Sequence, residues 1–133
     1  MRYCMFPCNL SKYDILGSFL KNGFVDYGTK FDLNVGDEVY IYTGAPYSAI
    51  FLKCSVRAIL KYEETINDEE FSIENDENQE ISKKPRYVRL VPVKNYLNKI
   101  DKVNSEKLRE HGVKGFSFQV QLSQETIDYL ESI

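Results

Sequence analysis

In the segment VGDEVYIYTGAP, residues 35–46, a strand begins at a turn and stops abruptly. The Gly-Asp pair is typical of a turn. Residues 38–43 then alternate between two faces, as in a β-strand, with Val39 and Ile41 on one face and three polar or aromatic side chains on the other. The Thr-Gly-Ala-Pro sequence that follows breaks this alternation. Such a break is either a corner of a β-barrel or the floor of a binding pocket.

Further strands are indicated on both sides of this segment. RYCMF, residues 2–6, is a short β-type run that Pro7 closes, and residues 86–93 form a strand in which Pro92 indicates an edge or a bulge. The longest alternation lies in SAIFLKCSVRAILKY, residues 48–62. It predicts two faces of one strand. The core face consists of Ile50, Leu52, Cys54, Val56, Ala58 and Leu60, and the more solvent-exposed face consists of Phe51, Lys53, Ser55, Arg57 and Ile59.

A first helix is predicted over about residues 12–22. Ser11 is its N-cap, Asp14 completes a capping box three residues later, and Gly23 suits the C′ position. The apolar stripe of this helix is formed by Ile15, Leu16, Phe19 and Leu20. The segment after it, residues 24–34, has no regular pattern and is interpreted as irregular.

Two shorter helices are predicted in the second half of the chain. NSEKLREHG forms a helix that ends at Gly112, and Ser123 caps the helix QETIDYLESI, whose Ile127 and Leu130 face inward. Between them, GVKGFSFQVQL is an extended stretch interrupted by glycines.

The order of these elements predicts an α+β fold. The elements follow in the order strand, helix, three strands, helix, strand, helix, and their connections are short and of the antiparallel type. This order favours a small, partly open mixed β-barrel with flanking helices. A Rossmann fold is excluded because no GxGxxG follows a strand and crossover helices are too few. The length of 133 residues fits one domain, residues 1–133, with an acidic excursion at about 62–84.

Charge is unevenly distributed along the chain. Residues 62–82 contain nine of the 20 acidic residues and no Lys or Arg, so the remainder carries 17 basic against 11 acidic residues. A mildly basic body is compatible with a polyanionic partner, but it is equally compatible with an ordinary solvated surface beside one acidic loop.

Catalytic and metal-binding residue patterns are scarce. The three cysteines, Cys4, Cys8 and Cys54, contain no CxxC pair, and with the single His111 they form no zinc set, so free thiols and no metal are expected. His111 precedes a glycine at a helix end, where it caps carbonyl groups. GxSxG, HExxH and P-loop motifs are missing, so we expect no cofactor and no catalysis. The sequence contains neither a signal peptide nor an apolar run of about 20 residues, which predicts a cytoplasmic protein without a membrane contact.

Aromatic residues are abundant, with ten tyrosines and eight phenylalanines. Several lie beside glycine, proline or small polar residues at strand ends: Phe6, Tyr42, Tyr47, Phe116 and Phe118. Flat side chains with nearby amides and hydroxyls suit a pocket for a planar ring, although the same residues can instead plug the ends of a barrel. Basic residues on or before the strands, Lys53, Arg57, Lys83, Lys84, Arg86 and Arg89, are candidates for phosphate contacts or the polar face of a sheet.

The order of four segments resembles the EVE domain of the PUA-like superfamily over nearly the whole chain. These segments are YCMFPCN before a helix, NVGDEVYIYTGAPYSAIFLKCSV, RYVRLVPV, and a glycine-containing loop before LSQETIDYLESI. The resemblance implies a pocket at one end of the barrel for a flipped or single-stranded modified base. It also implies modified DNA or RNA as partner, and a possible partner nuclease.

The resemblance further implies which residues contact the base. Asn9, after the first strand, would hydrogen-bond to the base edge; Tyr42, Thr43 and Gly44 would form one wall, and Lys114, Gly115, Phe116 and Ser117 the opposite wall. Apart from the resemblance, the charged strand residues Arg57, Arg86 and Arg89 are the candidates for contacts with the nucleic-acid backbone. EVE domains commonly use tryptophan, which this chain lacks; Tyr3 takes the first-strand position, and Phe116 or Phe118 supplies the stacking surface.

The leading hypothesis is therefore a non-enzymatic reader of a modified nucleobase. An RNA-binding module of the PUA or ASCH kind that ignores modification, a small ASCH-type hydrolase, and a protein-interaction domain that uses the acidic segment are the alternatives. The pocket hypothesis requires that the loops around Asn9, Thr43 and Phe116 converge at one end of the barrel.

Overall fold

The computed structural model describes residues 1–67, 69–71 and 84–133. Most of the predicted acidic excursion, together with Lys83, lies outside these residues. Its described parts are short 3₁₀ turns at Tyr62–Glu64 and Glu69–Phe71. Within the described ranges, no helix combines the length and the apolar character that crossing a membrane requires.

Six strands and three α-helices make up the described part of the chain. The strands are β1 (Tyr3–Cys8), β2 (Val25–Thr29), β3 (Glu38–Thr43), β4 (Ala49–Leu60), β5 (Arg86–Asn95) and β6 (Val120–Gln121). The helices are α1 (Ile15–Asn22), α2 (Ser105–Glu110) and α3 (Gln124–Glu131).

The strands form one mixed sheet in the order β2-β5-β4-β3-β1-β6. β1 pairs with β3 in parallel, and the other neighbours are antiparallel. The sheet curls until its two edges approach, since Gln119, just before β6, donates a hydrogen bond of 2.8 Å from Nε2 to the carbonyl oxygen of Gly28 in β2. This architecture confirms the predicted α+β, partly open mixed barrel with flanking helices.

Apolar side chains pack on both faces of the curled sheet. Inside the curl, α1 covers a core that includes Phe6, Cys8, Ile15, Phe19, Val25, Val39, Ile41, Val88 and Leu90. Outside it, α2 and α3 cover a second core that includes Tyr40, Tyr42, Ile50, Tyr96, Leu108, Ile127 and Leu130. Strand β3 is therefore buried on both faces.

Register shifts interrupt the pairing of β4 with both of its neighbouring strands. Ile41 is opposite Leu52 and Tyr42 is opposite Ile50, so Phe51 is an extra residue between them. The prediction that Phe51 lies on the more solvent-exposed face is wrong, because the bulge turns the Phe51 side chain inward and leaves it 3% exposed. In β5, Lys94 is opposite Lys53 while Pro92 is opposite Cys54, which confirms the bulge that Pro92 indicated.

Helix α1 begins three residues later than predicted. Asp14 is its N-cap, and the Asp14 Oδ1 atom accepts a 3.0 Å hydrogen bond from the Gly17 amide. Ser11 instead belongs to the preceding turn, where its hydroxyl donates to the Asn9 side chain. Gly23 ends the helix as predicted, with φ of 78°. Leu20, predicted in the apolar stripe, is 88% exposed.

The segment predicted to be irregular contains strand β2. Its residues Asp26 and Gly28 are poor strand formers, and the strand exists because it pairs along its length with β5. The extended stretch predicted before α3 contains only the two-residue strand β6, and the residues ahead of it form a loop.

Candidate functional site

The ends of β1 and β3 lie side by side. Because these strands are parallel, Cys8 at the end of β1 is opposite Thr43 at the end of β3. The Gly44 amide donates a 3.3 Å hydrogen bond to the Cys8 carbonyl oxygen. The abrupt stop at Thr-Gly-Ala-Pro therefore lies at the same end of the sheet as the chain that leaves β1.

A cleft of about 480 Å³ lies between the two approaching edges of the sheet. Its described lining comes from the end of β1, the end of β2 with the residues after it, a residue just before β5 and the loop before β6. The lining residues are Pro7, Thr29, Lys30, Phe31, Lys84, Ser117, Phe118 and Gln119. We refer to this space as the cleft.

The loop before β6 is anchored on one side of the sheet by Phe116. Its ring stacks on the buried Tyr42 ring with 4.6 Å between centroids, and the Arg109 guanidinium lies 5.1 Å from the Phe116 centroid. Two residues further on, Phe118 lies at the rim of the cleft and is 80% exposed. One aromatic residue therefore holds the loop, while the other presents its ring to the solvent.

Two hydrogen bonds join the approaching edges of the sheet, and a third lies within one wall of the cleft. Besides the bond from Gln119 to Gly28, the Tyr27 hydroxyl donates to the Pro7 carbonyl oxygen, and the Phe31 amide donates to Thr29 Oγ1 over 3.0 Å. The first two join β2 to the loop before β6 and to β1, and we call this line of contact the seam.

Lysines supply the exposed positive charge at the cleft. Lys30 and Lys84 are both exposed, and neither forms an ion pair with the described residues. The stem of Lys84 covers the backbone of Gly28, where an added Cβ would lie 2.5 Å from the Lys84 Cγ atom. Glycine at this position therefore allows the lysine to lie across β2.

Two of the arginines predicted to contact a nucleic-acid backbone are engaged within the protein. Arg86 donates to Asp32 and to the Phe31 carbonyl oxygen, at 3.0 Å each. Arg89 donates from two nitrogens to the Asp26 carboxylate, at 2.9 and 3.0 Å, and this hydrogen bonding raises the pKa of the guanidinium. Arg57 is exposed, at the bulge in β4 opposite β5.

The predicted base-contacting residues from β1 and β3 mostly point away from the cleft. The Asn9 Oδ1 atom accepts hydrogen bonds from the Ser11 amide and hydroxyl, and Asn9 lines a separate hollow of about 270 Å³. Tyr42 is buried beneath Phe116, and the buried Thr43 hydroxyl donates to the Ala49 carbonyl oxygen over 3.2 Å. Gly44 is half-buried.

The predicted residues in the loop before β6 are divided between two hollows. Ser117 lines the cleft, whereas Lys114 and Gly115 line a hollow of about 210 Å³ against the start of α3. Sequence reasoning missed Thr29, Lys30 and Phe31, because the segment that contains them was interpreted as irregular. The adjacent basic and aromatic residues Lys30 and Phe31 were the sequence pattern that could have indicated a binding segment here.

The cysteines and the histidine lie apart from the cleft lining. Cys4, Cys8 and Cys54 are buried free thiols, and no metal-binding group of His, Cys, Asp or Glu occurs among the described residues. The His111 ring stacks on Tyr129 with 3.7 Å between centroids. As predicted, His111 is the C-cap residue of α2.

We expect the thiols to be inert in the folded protein. Burial raises the pKa of the Cys8 thiol to about 11 and that of Cys54 to about 12, so the reactive thiolate is scarce at pH 8. Mass spectrometry after maleimide treatment at pH 8 should detect no adduct in native protein and three adducts in urea. Rapid labelling of Cys8 in the native protein would contradict this expectation.

Comparison with known proteins finds the fold among solved structures. No protein-family model and no curated protein sequence matches the chain. It is similar to ASCH from Zymomonas mobilis, with 12% identity, a TM-score of 0.58 and coverage of 99% of this chain and 95% of that chain. A hypothetical protein from Leishmania major has 13% identity, a TM-score of 0.63 and coverage of 99% and 93%.

Human THYN1, solved in complex with 5-methylcytosine-containing DNA, is also similar, with 11% identity, a TM-score of 0.60 and coverage of 99% of this chain and 96% of that chain. At such identities the similarity concerns the fold. The curled six-stranded sheet with three flanking helices, shared over nearly the full length with ASCH proteins and THYN1, is a PUA-like fold.

Proposed function

We propose that the chain is a single EVE-type domain that reads a modified nucleobase without catalysis. The base is flipped out of a duplex or lies in a single strand, and it enters the cleft. The observation that carries this proposal is the cleft itself, about 480 Å³ in volume, with aromatic side chains and lysines at its edge. A cytoplasmic location and a partner nuclease that acts on the bound nucleic acid belong to the same proposal.

Stacking in the cleft offsets the cost of extruding a base at least in part. Extruding a base from a duplex costs a few kcal/mol, and stacking on aromatic side chains returns roughly 1–3 kcal/mol per base. Phe31 and Phe118 provide rings at the cleft, and Ser117 and Gln119 provide polar groups that can read a base edge. Lys30 and Lys84 are placed to contact phosphates without first breaking an ion pair within the described residues.

Structural neighbours support the class of ligand. THYN1, which shares this fold, was solved with 5-methylcytosine-containing DNA. The cleft lining provides lysines, hydroxyls and a carboxamide among its described residues, and no carboxylate or imidazole, which favours binding over acid–base hydrolysis. Asn9, Lys114 and the exposed Arg57 remain part of the proposal as contacts for a strand that extends beyond the cleft.

Binding measurements test the proposal directly. Fluorescence titrations would compare single-stranded oligonucleotides that differ only in one 5-methylcytosine or cytosine, in DNA and RNA, at several salt concentrations. We expect binding at low salt and tighter binding of the modified strand. Folded protein with no affinity for any of these strands would overturn the proposal, and equal affinity would favour a module that binds unmodified RNA.

The two cleft lysines should determine the salt dependence of binding. For each phosphate contact that is lost, the slope of log K against log salt falls by about 0.7 for a single strand. We therefore expect the double variant Lys30→Ala/Lys84→Ala to bind more weakly at low salt and with a shallower slope. The matched variant Lys99→Ala/Lys102→Ala removes the same charge outside the cleft and should keep the slope. An unchanged slope in the cleft variant would show that these lysines contact no phosphate.

A further inference from the structure

The Gln119 side chain has a fixed orientation at the seam. Its Nε2 atom donates to the Gly28 carbonyl oxygen over 2.8 Å, and a carbonyl oxygen can only accept. This partner therefore decides which end of the carboxamide is nitrogen and which is oxygen. Gln119 is half-buried and lines the cleft, so Oε1 is the end that remains for a ligand.

The other polar side chains of the cleft differ from Gln119 in chemistry. Hydroxyl groups, as in Thr29 and Ser117, can donate as well as accept, and the ammonium groups of Lys30 and Lys84 can only donate. Among the described lining residues, Gln119 Oε1 is thus the one side-chain atom that can only accept. A ligand that places a hydrogen-bond donor opposite a fixed acceptor binds more tightly. A ligand that places a second acceptor there binds more weakly, because the two facing lone pairs leave both groups without a hydrogen bond.

We propose that Gln119 makes the cleft selective for bases with an exocyclic amino group on the edge that enters it. These are 4-aminopyrimidines, which donate from N4, and 6-aminopurines, which donate from N6. Bases with a keto oxygen at the same position present an acceptor to Oε1 and bind more weakly. The inference rests on the proposed function, and it adds the class of base that the same cleft accepts.

Two matched pairs of single-stranded oligonucleotides test the selectivity. Each strand carries one test base: 5-methylcytosine against thymine, and adenine against hypoxanthine, so each pair exchanges an amino group for a keto oxygen. We expect the native protein to bind the amino member roughly tenfold more tightly in each pair, the size of one lost hydrogen bond with an unsatisfied partner. In Gln119→Met, which keeps the side-chain length and removes the acceptor, this ratio should fall to about one.

The outcomes separate the inference from the function on which it rests. If no strand binds, the proposed function is overturned and the inference with it. If strands bind and the native protein has no preference for the amino member, or Gln119→Met keeps the full preference, the inference alone is overturned.

Two control variants separate base reading from support of the seam. Tyr27→Phe removes the other seam hydrogen bond, to Pro7, without touching Gln119. We expect it to leave the amino-to-keto ratio unchanged, even if all affinities fall. Gln121→Met makes the same substitution at an exposed residue of β6 outside the cleft, and should behave as the native protein. Loss of the ratio in Tyr27→Phe as large as in Gln119→Met would assign the effect to the seam and overturn the proposal.

Discussion

Replacing Asp26 by alanine should lower the free energy of unfolding by about 3 kcal/mol. The Asp26 side chain is 2% exposed and accepts both Arg89 hydrogen bonds and one of 2.8 Å from the Ile66 amide. Removing the carboxylate leaves a guanidinium without its counter-charge and a backbone donor without a partner, and each loss is destabilising. Because Arg89 is 30% exposed, water compensates part of the loss, which keeps the expected value at the low end for buried pairs. Urea unfolding followed by circular dichroism measures it.

A second carboxylate–arginine pair provides the control. Asp32 bonds Arg86 at a similar distance, 3.0 Å, but is 87% exposed. Asp32→Ala should therefore change the free energy of unfolding by less than about 1 kcal/mol, as exposed pairs do. Equal effects in the two variants would mean that burial of Asp26 does not determine the stability of the Asp26–Arg89 pair.

Replacing Phe118 by alanine should weaken binding of a single-stranded oligonucleotide roughly tenfold to a hundredfold, corresponding to about 1–3 kcal/mol of lost stacking. The ring is 80% exposed at the rim of the cleft, so its removal creates no cavity and should leave the free energy of unfolding within about 0.5 kcal/mol of the native value. Titration of the 5-methylcytosine strand and urea unfolding of the same sample measure both quantities.

An exposed apolar residue outside the cleft provides a control for non-specific hydrophobic binding of the oligonucleotide. Leu20, on α1, is 88% exposed and lies outside the cleft, so Leu20→Ala should bind as the native protein does. Phe118→Tyr keeps an aromatic ring and should retain most of the affinity. If Phe118→Ala binds normally, or if both alanine variants lose affinity equally, the assignment of Phe118 as a stacking residue fails.

The sequence predicted the elements whose local pattern was strong. β3, β4 and β5 have alternating or β-branched runs bounded by turn residues, and α2 and α3 have capping residues at the expected places. The number and order of these elements were enough to exclude a Rossmann fold and to predict a small curled sheet. Alternation, turns and helix caps depend on residues that are close together in the chain, so they can be recognised in a single sequence.

Features that depend on pairing were not predictable. β2 contains Asp26 and Gly28 and is stabilised by its ladder with β5, a partner about 60 residues later in the chain. The inward position of Phe51 comes from a bulge that pairing with β3 creates. The local sequence pattern of neither segment indicates the strand with which it pairs.

The sequence predicted a pocket between three loops, but not which side chains line the cleft. Thr43 lies opposite Cys8 and its neighbour Tyr42 stacks on Phe116, whereas Asn9 lines a hollow separate from the cleft. Which side chains line the cleft depends on the curl of the sheet, which brings the missed residues Thr29 to Phe31 opposite Ser117. Of the eight predicted base contacts, Ser117 lines the cleft.

The stack of Phe116 on Tyr42 has an evolutionary consequence. It fastens the loop outside the cleft lining, so the exposed residues Ser117 and Phe118 can be exchanged while this stack and the seam hydrogen bond of Gln119 persist. Under the proposed function, changes at these two neighbouring codons alter the base preference while the fold is kept. A library randomised at these codons, with Phe116 retained, is the natural starting point for retargeting the domain in the laboratory.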